Sequence, residues 1–174
     1  MLSINIDSED VIIKDIKRRE LERILGWYNY TEAYKYATGI DCPIGMRDIV
    51  EKYLEVVYNN SEFFVGIHLK DHNSMIGLIK GRLKSEEATA IWLNSILIDT
   101  EYQQLGYGRK SLEMLSLYFK SRYNINRVYI SVIEKNRKGV DFWIRNNFQL
   151  VRKIMNHIVI DGKGQDVILM KKDI

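Results

Sequence analysis

The residues with the clearest chemical potential stand together in Ile96-Leu97-Ile98-Asp99-Thr100-Glu101-Tyr102-Gln103-Gln104-Leu105-Gly106-Tyr107-Gly108-Arg109, an apolar run that passes through a polar loop into an amphipathic segment. Apolar β-formers, then glycines, then helical spacing read as strand, loop and helix. Glycine lets such a loop turn sharply and lets its backbone approach a ligand closely. The first turn of the following helix carries N–H groups with no partner inside the helix, and the helix dipole adds positive potential at the same point. Together they make an anion site, for which a pyrophosphate is the natural guest. Arg109 and Lys110, just inside the helix, can add charge against a second phosphate.

Two well-known phosphate loops do not fit. A dinucleotide fingerprint needs a third glycine and a parallel strand before it, whereas this strand belongs to an antiparallel run. A P-loop ends in Gly-Lys-Ser/Thr, whereas Gly108 is followed by Arg109-Lys110-Ser111. Gly106-Tyr107-Gly108 by itself is equally the mark of an ordinary tight turn.

Other reactive side chains are sparse. Cys42, the single cysteine, stands beside Pro43 with no local base, so it reads as a loop residue, and neither a disulfide within the chain nor a thiolate zinc cluster is possible. His68 and His72 are four apart, but on a strand and its turn rather than on one helix face, so no metal is expected. Tyr28, Tyr30, Tyr34 and Tyr36 cluster between the first two expected helices. They can wall an acceptor site with ring and hydroxyl, although for Tyr28 core packing is the simpler reading.

The elements that must position these groups follow from periodicity. Residues 10–16 read as a strand and Leu21, Ile24, Leu25 and Tyr28 as a helix. A loop around Gly39, Pro43 and Gly45 leads to a second helix striped by Met46, Ile49, Val50, Tyr53, Leu54 and Val57. Residues 63–69, 75–83 and 90–98 read as three antiparallel strands with turns at Asp71-His72-Asn73 and Ser85-Glu86-Glu87. A helix over 107–123, a strand over 127–133, a helix over 139–146 and two strands around Asp161-Gly162-Lys163-Gly164 complete the order β-α-α-β-β-β-α-β-α-β-β. This predicts an α/β (α+β) fold, a mixed, mostly antiparallel sheet with helices on both faces.

Bulk properties set the frame. A chain of 174 residues, 46% hydrophobic and 28% charged, suits one globular domain spanning 1–174. A net charge of +3 does not predict a nucleic-acid or membrane partner. No run approaches the roughly 18 apolar residues of a membrane span. The acidic N-terminal segment lacks a secretory leader, and a reducing cytoplasmic setting is expected. The closing strands can pair between subunits, so a homodimer is possible.

Gln103-Gln104-Leu105-Gly106-Tyr107-Gly108 resembles the Q/R-x-x-G-x-G/A signature of the GCN5-related N-acetyltransferases (GNAT). Ile96-Leu97-Ile98 is similar to that family's fourth strand and residues 127–133 to its fifth. Phe142-Trp143-Ile144-Arg145-Asn146-Asn147-Phe148 resembles its Y-E-K-x-G-F helix end. The likeness is strong over 90–148 and weak before Glu62. It implies acetyl-coenzyme A as co-substrate, held by Ile96, Leu97, Ile98, Gln103 to Arg109, Asn136 and Trp143. It also implies a gap between the fourth and fifth strands for the pantetheine arm, and direct acetyl transfer to an amine of a small molecule or peptide.

On that resemblance the Ile98 N–H stabilises the thioester oxyanion and Asn94 orients the amine, with Tyr28, Tyr30 and Tyr34 at the acceptor. Arg137 and Lys138, beside Asn136, are placed either to meet the cofactor's ribose phosphate or as a solvated pair. Trp143 departs from the tyrosine that protonates the leaving thiolate in many relatives, and Asn147 from their glycine. Trp92 and Asn94 stand where some relatives carry a carboxylate, which leaves Asp99 or Glu101, through water, as a base. An anionic groove lined by Asp41, Asp48 and Glu51 would favour a polycationic acceptor, and a neutral aromatic one another kind. The same departures admit an alternative, a non-catalytic acyl-CoA sensor or interaction module.

Overall fold

The computed structural model describes residues 1–84 and 90–174, and the turn expected at Ser85-Glu86-Glu87 lies outside the described residues. Eight strands form one sheet in the order β1-β2-β3-β4-β5-β6-β8-β7. They are β1 (Asn5–Asp7), β2 (Val11–Asp15), β3 (Glu62–Leu69), β4 (Met75–Leu83), β5 (Ala90–Ile98), β6 (Arg127–Ile133), β7 (Gln149–Ile160) and β8 (Lys163–Asp173). Every neighbouring pair is antiparallel except β5 and β6, the two strands joined through a helical crossover.

Among the described residues, five α-helices cover the faces: α1 (Leu21–Asn29), α2 (Thr31–Thr38), α3 (Met46–Val57), α4 (Tyr107–Tyr123) and α5 (Arg137–Arg145). Leu112, Leu115 and Phe119 of α4 and Trp143 of α5 pack on one face against Phe63, Val65 and Ile67. Leu21, Ile24 and Trp27 of α1, Tyr34 of α2, and Ile49 and Val56 of α3 pack on the other, against Phe64 and Leu78. Period 2 in the strands feeds both cores, and period 3.6 turns one stripe of each helix inward. No described helix is long and apolar enough to cross a membrane.

Two elements go beyond the sequence reading. β1 is only three residues long and pairs with β2 through Ile6↔Ile13. α2 follows α1 after a corner at Tyr30, with φ −85° and ψ 67°. That corner contains neither glycine nor proline, so residues 31–38 read as connection rather than helix.

Candidate functional site

The pairing of β5 with β6 stops early. Ala90↔Arg127 through Leu93↔Ile130 are partners, and nothing beyond them is. The cause lies in β5 itself. Against β4, Lys80 faces Ser95 and Gly81 faces Leu93, so Asn94 is an extra residue bulged out of the ladder. A bulge bends its strand and resets the alternation of side chains. Ile91 and Leu93 point into the α4 face before it, and Ile96 and Ile98 do so after it, while Leu97 joins the opposite core.

The reset also fixes the backbone. The Asp99 N–H donates to Ile76 O of β4 at 2.8 Å, so by alternation Leu97 and Ser95 face β4 and Ile96 and Ile98 face the open side. A cleft of about 1010 Å³ opens there, lined by Asn94, Ile96, Leu97 and Ile98 on β5, by Ser131 to Ile133 on β6, and by residues of α2, α5 and β7.

At the foot of this cleft the chain turns into α4. The Asp99 carboxylate accepts from the Glu101 N–H at 3.3 Å and starts a short 3-10 turn, Thr100–Tyr102. The Gln103 side chain donates to Ile98 O at 2.9 Å and ties the loop back to the strand end. Gln104 and Gly106 both take left-handed backbone, φ 62° and 88°. The first helical bond of α4 is Lys110 N–H to Gly106 O, and no side chain caps the helix. The first turn holds no acidic residue. The amides ahead of Lys110 are therefore free to meet an anion. A Cβ on Gly106 would meet nothing within 4 Å, so the space in front of the loop is open.

Gln103, Gln104, Gly106, Gly108 and Arg109 line the cleft, whereas Leu105, 64% exposed, and Tyr107, edge-on to Tyr102, do not. Arg109 pairs with Glu113 at 2.9 Å, a contact that raises its already high pKa. Lys110 pairs with Asp10, away from the loop, which leaves Arg109 as the basic residue of the first turn at the cleft. Asn136 caps α5 by accepting from the Gly139 N–H at 3.0 Å, so its side-chain oxygen is committed and its NH₂ remains for a ligand. Lys138 lines the cleft and Arg137 does not. Trp143 is 6% exposed, packed edge-on against Phe142 and Phe148, and is among the residues lining the cleft.

The opposite end is built by α2 and β7. Ser95 donates to Ala37 O at 3.0 Å and holds α2 under β5. The Tyr34 hydroxyl accepts from the Thr100 N–H at 2.8 Å, and burial pushes its pKa up more than that bond lowers it. The Lys35–Asp161 pair, at 2.6 Å, clamps α2 to the end of β7. Tyr34 thus reaches the cleft, and the other two tyrosines offered for an acceptor do not. Tyr28 lies in the α1 core, its phenol pushed up to about 12 by burial, and Tyr30 is 51% exposed, edge-on to Tyr34.

The carboxylates named from the sequence are also elsewhere. Asp99 accepts from Trp27 Nε1 at 2.9 Å and Arg23 at 3.3 Å, and neither it nor Glu101 lines the cleft. Asp41 accepts from the Asp161 N–H, Asp48 from the Gly45 N–H, and Glu51 pairs with Arg47. Among the described lining residues the sole carboxylate is Asp141, on α5. Beside Thr38, Arg145 and Asn146, the polar lining includes Tyr36, Ser131 and His157. Sequence reasoning offered none of the three as site residues except Tyr36, within its cluster, because β6 and β7 carry no motif.

Comparison with known proteins gives a consistent set of likenesses. The family described as acetyltransferase (GNAT) domain matches residues 13–169. A spermine/spermidine N(1)-acetyltransferase of Bacillus subtilis (strain 168) is 30% identical over 76 residues, 44% of this chain, and the match spans half (50%) of that relative's length. The solved spermidine N-acetyltransferase from Vibrio cholerae, in complex with CoA and spermine, superposes with a TM-score of 0.82 at 20% identity, over 95% of this chain and 96% of that one. The Salmonella typhimurium acetyl transferase that modifies the N-terminal serine of the 50S ribosomal subunit protein L7/L12 gives a TM-score of 0.85 at 16% identity, over 98% and 99%. At these identities the two structures share this chain's fold.

Proposed function

Because the chain belongs to the GNAT acetyltransferase family, whose domain matches residues 13–169, we propose that it transfers the acetyl group of acetyl-coenzyme A to a primary amine, by direct attack in a ternary complex. The observation that carries this reading is one continuous path: free first-turn amides of α4 open directly into the gap where β5 and β6 part. When bound, acetyl-coenzyme A would supply an activated acyl thioester. The amides ahead of Lys110 receive its diphosphate, with Arg109 and the Asn136 NH₂ beside them. The open edge at Ile96 and Ile98 pairs with the amide-bearing arm as an added strand would. An N–H of the same edge, at Ile98 or Ile96, donates to the thioester oxygen as negative charge develops there. Side-chain substitution at these positions leaves that donor in place. Asn94, exposed at the bulge, orients the amine, and the fixed walls hold both reactants for attack.

The acceptor end favours an amine of low total charge. Tyr34, Tyr36, Asn94, Ser95 and Ser131 are uncharged there, so a polycation would find no carboxylate among the described lining residues of that end. Calorimetry with acetyl-coenzyme A, then thiol release over peptide N-terminal amines, arylalkylamines and spermine, tests the reading. Binding is expected, with a higher kcat/KM for monoamines than for spermine. No association at millimolar acetyl-coenzyme A refutes the proposal. Binding without turnover on any amine favours the non-catalytic sensor that Trp143 admits.

A further inference from the structure

An ammonium must lose a proton before its nitrogen can attack, and, Asp141 on α5 aside, the carboxylates around the cleft are already engaged. Asp161 pairs with Lys35, and Asp41 accepts from the Asp161 N–H. Asp166 accepts from the Asn156 N–H at 3.0 Å and shares Lys153 with Glu134. Asp99 is held by Trp27 and Arg23, and the Tyr34 hydroxyl by the Thr100 N–H. Of the titratable side chains at this end, Tyr36 and His157 line the cleft without a hydrogen bond to any described residue. Imidazole is the side chain suited to exchange a proton between pH 5 and 8, and a phenol is not.

The backbone around His157 is built for display. β7 and β8 lose register between Ile154 and Ile158, and Asn156 takes φ 47° at the break. The Asn156–Asp166 bond fixes the bulge, and pairing resumes at Ile158↔Gln165. Bulges of this kind re-aim a side chain at the cost of ladder bonds. His157 emerges exposed, on the wall of the cleft that Asn94 and Tyr36 also line.

We propose that His157 accepts the proton of the acceptor ammonium, directly or through one water. This rests on the acetyl transfer proposed above. The proton leaves nitrogen for the imidazole, and the freed lone pair forms the N–C bond to the thioester carbon. The C–S bond breaks with its electron pair on sulfur. The proton still in excess on nitrogen passes to that sulfur, giving amide and thiol, and the imidazolium returns its proton to solvent.

The test compares wild type, His157→Gln and His72→Gln, a control in the exposed β3–β4 turn. For His157→Gln, kcat/KM at neutral pH is expected to fall by about 10² or more, the usual scale of general base catalysis. The acidic limb of the wild-type kcat/KM profile should disappear in it, and added imidazole should restore part of the rate. Acetyl-coenzyme A affinity and thermal midpoint should match wild type, and His72→Gln should keep both rate and limb. An active wild type with His157→Gln within about threefold of it, a difference too small for a lost base, overturns this inference alone. So does a rate loss with the acidic limb intact. A wild type that binds acetyl-coenzyme A but acetylates no amine overturns the transfer reading and this one together.

Discussion

Replacing Gly106 by alanine separates backbone geometry from steric bulk at the candidate anion site. Gly106 holds φ 88°, and a Cβ there meets nothing within 4 Å, so the substitution adds strain without a clash. Left-handed backbone costs a residue with a Cβ about 1–2 kcal/mol. If the free loop stays in place, that strain lowers stability. For a chain of this size about 2–4 °C is lost per kcal/mol, so the midpoint should fall by about 2–8 °C. If the loop relaxes instead, binding must restore it, and the dissociation constant for coenzyme A should rise by about 5- to 30-fold. The two effects trade against each other, and their sum should stay near 1–2 kcal/mol.

Calorimetry with coenzyme A and thermal unfolding with and without it measure both parts. Saturating ligand at about 100 times its dissociation constant adds about 2.7 kcal/mol to wild type, which makes the shift easy to read. Gly108→Ala is the comparison. There the added Cβ stands 3.3 Å from Phe142 and 3.5 Å from Ile98, so a small ring shift absorbs it with φ unstrained. Gly106→Ala with unchanged midpoint and unchanged affinity refutes the reasoning, as does Gly108→Ala losing more in midpoint and affinity taken together than Gly106→Ala.

Two further substitutions probe the frame around the site. Glu20 accepts from buried His68 Nε2 at 2.7 Å and from the Lys17 N–H. Burial raises its pKa, but those bonds outweigh burial and hold it below its ordinary value. A depressed carboxylate stabilises the fold fully above the unfolded pKa, near 4.3, and loses that stabilisation as pH falls through the folded one. Glu20→Gln should therefore cost about 1–2 kcal/mol at pH 7 in denaturant titration, the gap to wild type closing below about pH 4; a gap constant with pH contradicts this. Asp99→Asn weakens the bonds from Trp27 and Arg23 and should cost about 1–3 kcal/mol. Its kcat/KM should stay within about threefold of wild type, since a carboxylate outside the cleft is not the base; a loss of 10² or more with an altered pH profile would restore Asp99 to that role.

The sequence exposed the parts of this fold whose residues act locally. The short β-rich runs of β3 to β5 between polar turns, the apolar stripes of α3 and α4, and the glycines before Tyr107 each state a backbone preference within a few positions. The cofactor half of the candidate site was legible for that reason, since strand, left-handed loop and helix start are contiguous from Ile96 to Arg109. The acceptor half was not. Tyr34 reaches the cleft only because α2 exists, and α2 follows a corner at Tyr30 that no glycine or proline marks. His157 reaches it only through a bulge whose residues, Met155 and Asn156, look like ordinary strand and turn. Asp99 looked like a base because its neighbours in sequence are catalytic candidates, while its partners in space, Arg23 and Trp27, lie more than seventy positions earlier.

The two halves meet at one inserted residue. Without Asn94 as a bulge, Ile96 and Ile98 would turn their side chains to the α2 face and Leu97 to the α4 face, each against the wrong core. The bulge corrects that alternation and, in the same step, bends β5 away from β6 just after Leu93↔Ile130. The N–H and C=O of Ile96 and the N–H of Ile98 are then left open on the side where the sheet would otherwise continue, the Ile98 carbonyl being taken by Gln103. A strand edge inside a sheet demands a partner, because its N–H and C=O groups lie in a partly buried wall. The packing of two hydrophobic cores against β5 thus accounts for a cleft that an extended, amide-bearing ligand is suited to complete.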